Sequence, residues 1–142
     1  RSVSRGLGDV YKRQPLLGIC LGLQLFFEKS EETKGVEGLG LLKGEIVRFP
    51  ETEGFKIPHM GWNSIKINQN SKLFQGIEEN SYVYFVHSYY LRAHDLNDVA
   101  ATTDYIVNVH AAAEHGNIFA TQFHPEKSGE VGLKILKNFV NL

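Results

Sequence analysis

Apolar positions in this chain come in short clusters, and their spacing changes along its length. The densest run is PLLGICLGLQLFFEK, Pro15–Lys29. Its first part, Leu16–Cys20, is apolar at consecutive positions, like a strand buried on both faces of a parallel sheet. Its second part, LGLQLFFEKS over 21–30, reads as a helix, with Leu21, Leu25 and Glu28 three or four apart. Glycine-rich GVEGLGLLKG (35–44) predicts a loop. EIVRF (45–49) and WNSIKI (62–67) alternate, as half-exposed strands do. Ser71 is placed to open a helical turn over SKLFQGI, with Gly76 closing it. YVYFV (82–86) predicts a buried strand ending at HSYY. The segment 98–126 reads as strand, strand, turn at His115-Gly116-Asn117, then strand. The tail, SGEVGLKILKNFVNL, predicts an amphipathic helix with Ser128 as N-cap. Val131, Ile135, Leu136, Phe139 and Val140 would form its buried face. The pattern is α/β with a strand-rich middle.

Composition narrows the function classes. The 142 residues suffice for one domain with a core. A net charge of −1 leaves no basic excess or stripe for nucleic acid. No apolar run approaches bilayer length, so no membrane partner is expected. A single cysteine makes no internal disulfide, which favours a reducing, cytoplasmic setting. The basic segment RSVSRGLGDVYKRQ before the apolar run suggests a secretion signal. That reading fails because the run starts at residue 15, is broken by Gln24, and leads into FFEKSEE without a small-x-small cleavage site.

Candidate chemistry starts at Cys20. Gly18-Ile19-Cys20-Leu21-Gly22 has the form G-x-C-x-G, which parallels the strand-turn-helix elbow of hydrolases. In an elbow the residues two either side of the nucleophile come close, and glycine avoids the clash. A helix N-terminus also favours the thiolate. The alternative is an inert cysteine in an apolar run, the commoner fate of a lone cysteine. The motif by itself leaves both open.

A cysteine nucleophile needs a base, and the base an orienting group. His124 ends the apolar strand IFATQF, and Pro125 biases it towards an extended conformation. Residues i and i+2 of an extended segment project to one side, so Glu126 can hold the His124 imidazole. Carboxyl ends of strands are also where open α/β sheets place their sites. Without Cys20, a surface His-Pro-Glu turn would be the plainer reading. His87 follows a buried strand and is placed to line a site. His59, in IPHMGWN, carries a weaker signal, and His94, His110 and His115 have neighbours typical of loops or exposed faces. No His-x-His or Cys-x-x-Cys spacing points to a metal.

GICLGLQ, PHMGWN, FVHSYY and ATQFHPEKSG together resemble the glutamine amidotransferase subunit family of imidazole glycerol phosphate synthase, a class I amidotransferase of histidine biosynthesis. The first and last motifs indicate class I broadly. PHMGWN, HSYY and the Lys-Ser after HPE point to this member. The resemblance runs in order from Pro15 to the C-terminus. It implies a flavodoxin-like open sheet flanked by helices, with a strand-rich insertion in the middle. Cys20 matches the nucleophile, His124 the base and Glu126 the orienting acid. The Leu21 N–H matches an oxyanion donor. Gln24 and His87-Ser88-Tyr89 match positions that hold substrate glutamine. Pro58, His59, Met60, Gly61, Trp62, Asn63 and Lys127 match the face that meets a (β/α)8-barrel cyclase. The implied reaction is glutamine hydrolysis through a cysteinyl thioester. Ammonia would pass to the cyclase in a heterodimer, with no metal or cofactor.

The family also has strands before the nucleophile and a PGVGAF-like loop supplying a second oxyanion N–H. Residues 1–14 resemble neither. The sequence therefore reads as the C-terminal part of one amidotransferase domain, 15–142, joined near Gln14-Pro15 to a non-native or unstructured segment, with the first strands missing. Such a chain is expected to have little glutaminase activity of its own, since one oxyanion donor is worth about 3–4 kcal/mol. The rival readings are a glutaminase paired with another synthase, a module with a structural cysteine, and a cysteine hydrolase of the same fold. PHMGWN argues against the first and last.

Overall fold

The computed structural model describes residues 14–32 and 37–142; the segment 1–14 expected to be non-native or unstructured lies, apart from Gln14, outside these. In chain order the elements are β1 (Leu16–Ile19), α1 (Leu21–Phe26), β2 (Lys29–Ser30), β3 (Gly44–Arg48), β4 (His59–Ser64), β5 (Lys66–Ile67), β6 (Tyr82–His87), β7 (Tyr89–Ala93), β8 (Val99–Tyr105), β9 (Val107–His115), β10 (Ile118–Thr121) and α2 (Gly129–Val140). Single 3-10 turns precede β8 and α2.

Nine-residue β9 is the hub. It pairs antiparallel with β8 along one edge, and with β10 and β7 along the other. β1 extends this sheet parallel to β10, β3 and β2 extend it beyond β7, and β5 lies outside β8. A separate antiparallel ribbon joins β4 to β6. The architecture is the expected α/β with a mixed open sheet. Gly116 (φ 59°) makes the β9–β10 turn where the sequence places one.

The two faces of β10 show how side-chain alternation builds the core. Ile118 and Ala120 point to a cluster with Leu23, Phe26 and Phe27 from the α1 region. Phe119 points the other way, to Phe85, Phe123 and Ile135, the last from α2. Each helix thus covers one face.

Several elements depart from expectation. α1 is one and a half turns long, and its buried face carries Leu23, Gln24 and Phe26; Leu21 and Leu25 are exposed. The chain then reverses so that Lys29–Ser30 pairs with β3. Ser71 opens a turn, not a helix. The Glu114 carboxylate accepts from the Ser71 hydroxyl and from the Lys72 and Leu73 N–H groups, satisfying donors that a helix would need to cap. In α2, Val140 is exposed, because it lies about half a turn from the Ile135 side. WNSIKI is divided at buried Ile65 between β4 and β5. Among the described residues no helix is long and apolar enough to cross a membrane.

Candidate active site

Cys20 sits between β1 and α1 with φ 56° and ψ −103°, a conformation that non-glycine residues rarely adopt. Two main-chain bonds hold it there. Its N–H donates to Thr121 O (2.8 Å), and its carbonyl accepts from Gln24 N (3.2 Å). Gly18 makes the bend possible, since a Cβ there would lie 2.7 Å from the Gly22 carbonyl carbon. Gly22 carries no such demand, because its own Cβ position meets nothing within 4 Å. The close approach expected across the elbow therefore constrains one glycine, not both.

The sulfur is half-buried. It lies 4.0 Å from Val86 O and 3.6 Å from Gln122 Nε2. Burial pushes the thiol pKa up. The Leu21 N–H and the Gln122 amide oppose this, while the Glu32 and Glu126 charges add to it. The thiolate expected from the helix N-terminus is thus outweighed by desolvation, and the resting form is the thiol.

His124 leaves β10 in an extended conformation (φ −101°, ψ 100°). Its Nδ1 lies 2.9 Å from Glu126 Oε2, which fixes the Nδ1–H tautomer and makes Nε2 the ring's acceptor. Burial alone would raise the Glu126 carboxyl. The His124 hydrogen bond, the residue's own N–H, and the His124 and Lys127 charges more than reverse this and hold it below its usual value. Ser128 secures the segment. Its hydroxyl donates to His124 O (2.6 Å) and accepts from Tyr84 N (3.0 Å), while His124 N donates to Tyr84 O (3.0 Å). The hydroxyl thus binds β6 to His124 and does not cap α2 as expected. Gly132 lets α2 approach closely, since a Cβ would fall 1.9 Å from Pro125 O.

Strand β6 therefore carries both halves of the constellation. Tyr84 anchors His124 and Val86 faces the Cys20 sulfur, although no hydrogen bond joins thiol and imidazole among the described residues. Beside α1 a cavity of about 390 Å³ is lined by Leu21, Gln24, Leu25, Ser30, Glu32, Glu37 and Gly38.

His87 is placed differently from the expectation. It is 5% exposed and both ring nitrogens are engaged, Nδ1 with Tyr89 O (2.8 Å) and Nε2 with His59 Nδ1 (3.0 Å). The ring braces the Ser88-Tyr89 backbone and has no lone pair or proton left for a ligand. The Ser88 carbonyl accepts from Phe49 N, which pins the same segment from the end of β3. His59 is stacked between Phe85 and Tyr105 (centroids 4.7 and 4.0 Å).

The PHMGWN segment is split between two roles. Met60 and Trp62 are exposed on the outer face of the ribbon, beside Tyr82. Trp62 meets Tyr84 edge-on at 6.0 Å and lies close to Gly129. Gly129 follows exposed Lys127 by two residues, and Lys127 directly follows the His124–Glu126 pair. Gly61 has φ 122°, and Pro58 is half-buried. Asn63 turns inward, its amide bonded to His59 Nε2, Asp104 O and Ser64 N. Sequence reasoning missed Gln122. The available signal was a lone amide inside the apolar run IFATQF, one residue short of the phenylalanine that precedes the histidine.

The class-I glutamine amidotransferase family model matches residues 6–142. This chain belongs to that family. It is 52% identical over 130 residues to the imidazole glycerol phosphate synthase subunit HisH of Methanocaldococcus jannaschii, covering 92% of this chain and 65% of that protein. It is likewise 52% identical to HisH of Geobacillus kaustophilus, covering 90% of this chain and 62% of that protein. With HisH of Methanothermobacter thermautotrophicus it shares 53% identity over 96% of this chain and 67% of that protein. The chain thus spans about two thirds of the length of the curated relatives it matches. Among solved structures it shares the fold of a glutamine amidotransferase from Thermotoga maritima (TM-score 0.61, 17% identity, 99% of this chain and 53% of that one). It also shares the fold of the Trypanosoma brucei CTPS glutaminase domain with bound acivicin (TM-score 0.61, 18% identity, 89% of this chain and 60% of that one).

Proposed function

We propose that this chain carries the glutaminase chemistry of an imidazole glycerol phosphate synthase, working in histidine biosynthesis. The observation that carries the reading is the strained Cys20 elbow facing the same strand that anchors His124, itself oriented by Glu126. Glutamine enters the cavity beside α1. Gln24 and the Ser88-Tyr89 backbone hold it, and the Glu32 carboxylate supplies the charge that an α-ammonium group needs. His124 takes the Cys20 proton, and the sulfur attacks the side-chain amide carbon. The Leu21 N–H receives the developing oxyanion. The tetrahedral adduct collapses as protonated His124 gives its proton to the leaving nitrogen, releasing ammonia and the glutamyl thioester. His124 then takes a proton from water, which attacks the thioester carbonyl. Glutamate departs and the thiol is restored.

Ammonia would be consumed by a cyclase subunit with a (β/α)8 barrel. That partner docks on the exposed Met60–Trp62 face together with Pro58, Gly61 and Lys127. A catalytic lone thiol suits the reducing cytoplasm.

Labelling with 6-diazo-5-oxonorleucine, followed by mass spectrometry, tests the reading. An adduct on Cys20 that is lost in His124→Ala is expected. No adduct on the protein restored to the full length of its curated relatives would identify Cys20 as a structural cysteine. Ammonia transfer to a different synthase, but not to the barrel cyclase, would place the chain with another class I enzyme.

A further inference from the structure

Gln122 is completely buried, yet only one of its two polar side-chain atoms has a partner among the described residues. Nε2 lies 3.6 Å from Cys20 Sγ, while Oε1 is buried with no partner among the described residues. Buried amides are rarely left this way, because an unpaired acceptor costs about 1–3 kcal/mol. The backbone around it is already fixed without the side chain. Gln122 N donates to Ala111 O (2.8 Å), and the flanking Thr121 hydroxyl bonds Phe123 O (3.0 Å). Packing alone would be better served by a methionine of nearly the same shape. Among the described residues, the one polar group that the amide addresses is the sulfur.

We propose that Gln122 is a positioning residue for the nucleophile, its amide N–H holding the Cys20 sulfur in place and favouring its ionised form. The inference rests on the reading of Cys20 as the nucleophile. A thiol loses one proton on ionising and becomes a pure acceptor. An N–H donor stabilises that state more than the thiol, because hydrogen bonds to charged groups are the stronger ones. The effect works with that of the Leu21 N–H and opposes burial and the Glu32 and Glu126 carboxylates. With Leu21 N–H, Gln122 forms a pair of donors converging on one atom from α1 and from the end of β10.

The test uses Gln122→Met in the full chain, where the single cysteine makes labelling unambiguous. The pH dependence of iodoacetamide alkylation gives the thiol pKa directly. It should rise by about one unit, slowing alkylation at pH 7 about tenfold. The thermal midpoint should stay level or increase, since donor and orphan acceptor leave together. A purely structural role predicts the reverse: an unchanged alkylation profile and a lower midpoint. Should Gln122→Met fail to fold, Gln122→Asn retracts the amide by one methylene, and an unchanged thiol pKa there overturns the proposal. Labelling of the wild type by 6-diazo-5-oxonorleucine separates the two claims. An unlabelled wild type, restored to the full length of its curated relatives, removes the nucleophile itself, whereas a labelled one with an unaltered variant pKa removes only the part assigned to Gln122.

Discussion

His59 Nδ1 and His87 Nε2 are 3.0 Å apart in the core, and only one arrangement of protons satisfies everything around them. Tyr89 O must accept from His87 Nδ1–H, so His87 Nε2 is an acceptor. His59 then donates from Nδ1, and its Nε2 accepts from the Asn63 amide. That amide cannot turn over, because Oδ1 receives Ser64 N and Nδ2 also serves Asp104 O. A directed chain thus runs from β4 through β6 to the start of β7, with both rings neutral.

Acid should dismantle this chain. Burial, reinforced by His87, lowers the His59 pKa to about 4. Burial also lowers that of His87 to about 4, opposed by the Tyr89 hydrogen bond and assisted by the His124 charge. Unfolded histidines protonate near pH 6.5. Between pH 6.5 and 4 the unfolded chain therefore binds protons that the folded one refuses. The stability contribution is complete above pH 6.5 and is lost as pH falls towards 4, by up to about 1.4 kcal/mol per pH unit for each histidine. Urea unfolding across this range checks it, and His59→Phe should give a visibly shallower slope.

The two elbow glycines should respond in opposite ways. Gly18→Ala forces a contact 2.7 Å from Gly22 and 2.8 Å from the Phe26 ring, so a loss of about 1–3 kcal/mol and slower labelling of Cys20 are expected. Gly22→Ala meets no neighbour and adds helix propensity, so stability should hold or rise by up to about 1 kcal/mol. Paired unfolding curves compare them.

Glu126→Gln should leave His124 in place while removing the charge that supports its protonated form. Thioester formation should slow by roughly a hundredfold, at the low end of general acid–base effects because Glu126 is half-exposed. Pre-steady-state ammonia release reads this, and the folded fraction should not change.

Ser128→Ala removes a buried hydroxyl that answers two main-chain groups, His124 O and Tyr84 N. A cost of about 1–3 kcal/mol is expected from the Tyr84 donor left unpaired. Because His124 is then held by one bond fewer, labelling at Cys20 should slow as well. A stability loss with an unchanged labelling rate would show that Ser128 serves the fold alone.

What sequence made legible was whatever local rules decide. The β9–β10 hairpin has its glycine turn, the His-Pro-Glu step its extended geometry, and the cysteine its flanking glycines. Long-range partners decided the rest. Glu114 is 42 residues from the Lys72 donor it satisfies, so nothing near Ser71 announces that no helix is needed. Leu21 and Leu25 look like a helical stripe, but the short α1 is oriented by the packing of Phe26 and Phe27. His87 looks like a ligand residue because its strand ends at the site; its commitment to His59 is visible only once β4 lies beside β6. Gln122 escapes for the same reason, its sulfur contact being 102 residues away.

Strand β6 has one more implication, for anyone wishing to transplant this chemistry. Tyr84 O and Val86 O, two residues apart, stand about 6.8 Å from each other along a strand. One receives the base's backbone and the other faces the nucleophile. Copying Cys20, His124 and Glu126 onto another scaffold would omit the ruler that spaces them. The portable unit is three side chains together with a strand of fixed register, and deleting a single residue from that strand would do more harm than most substitutions within it.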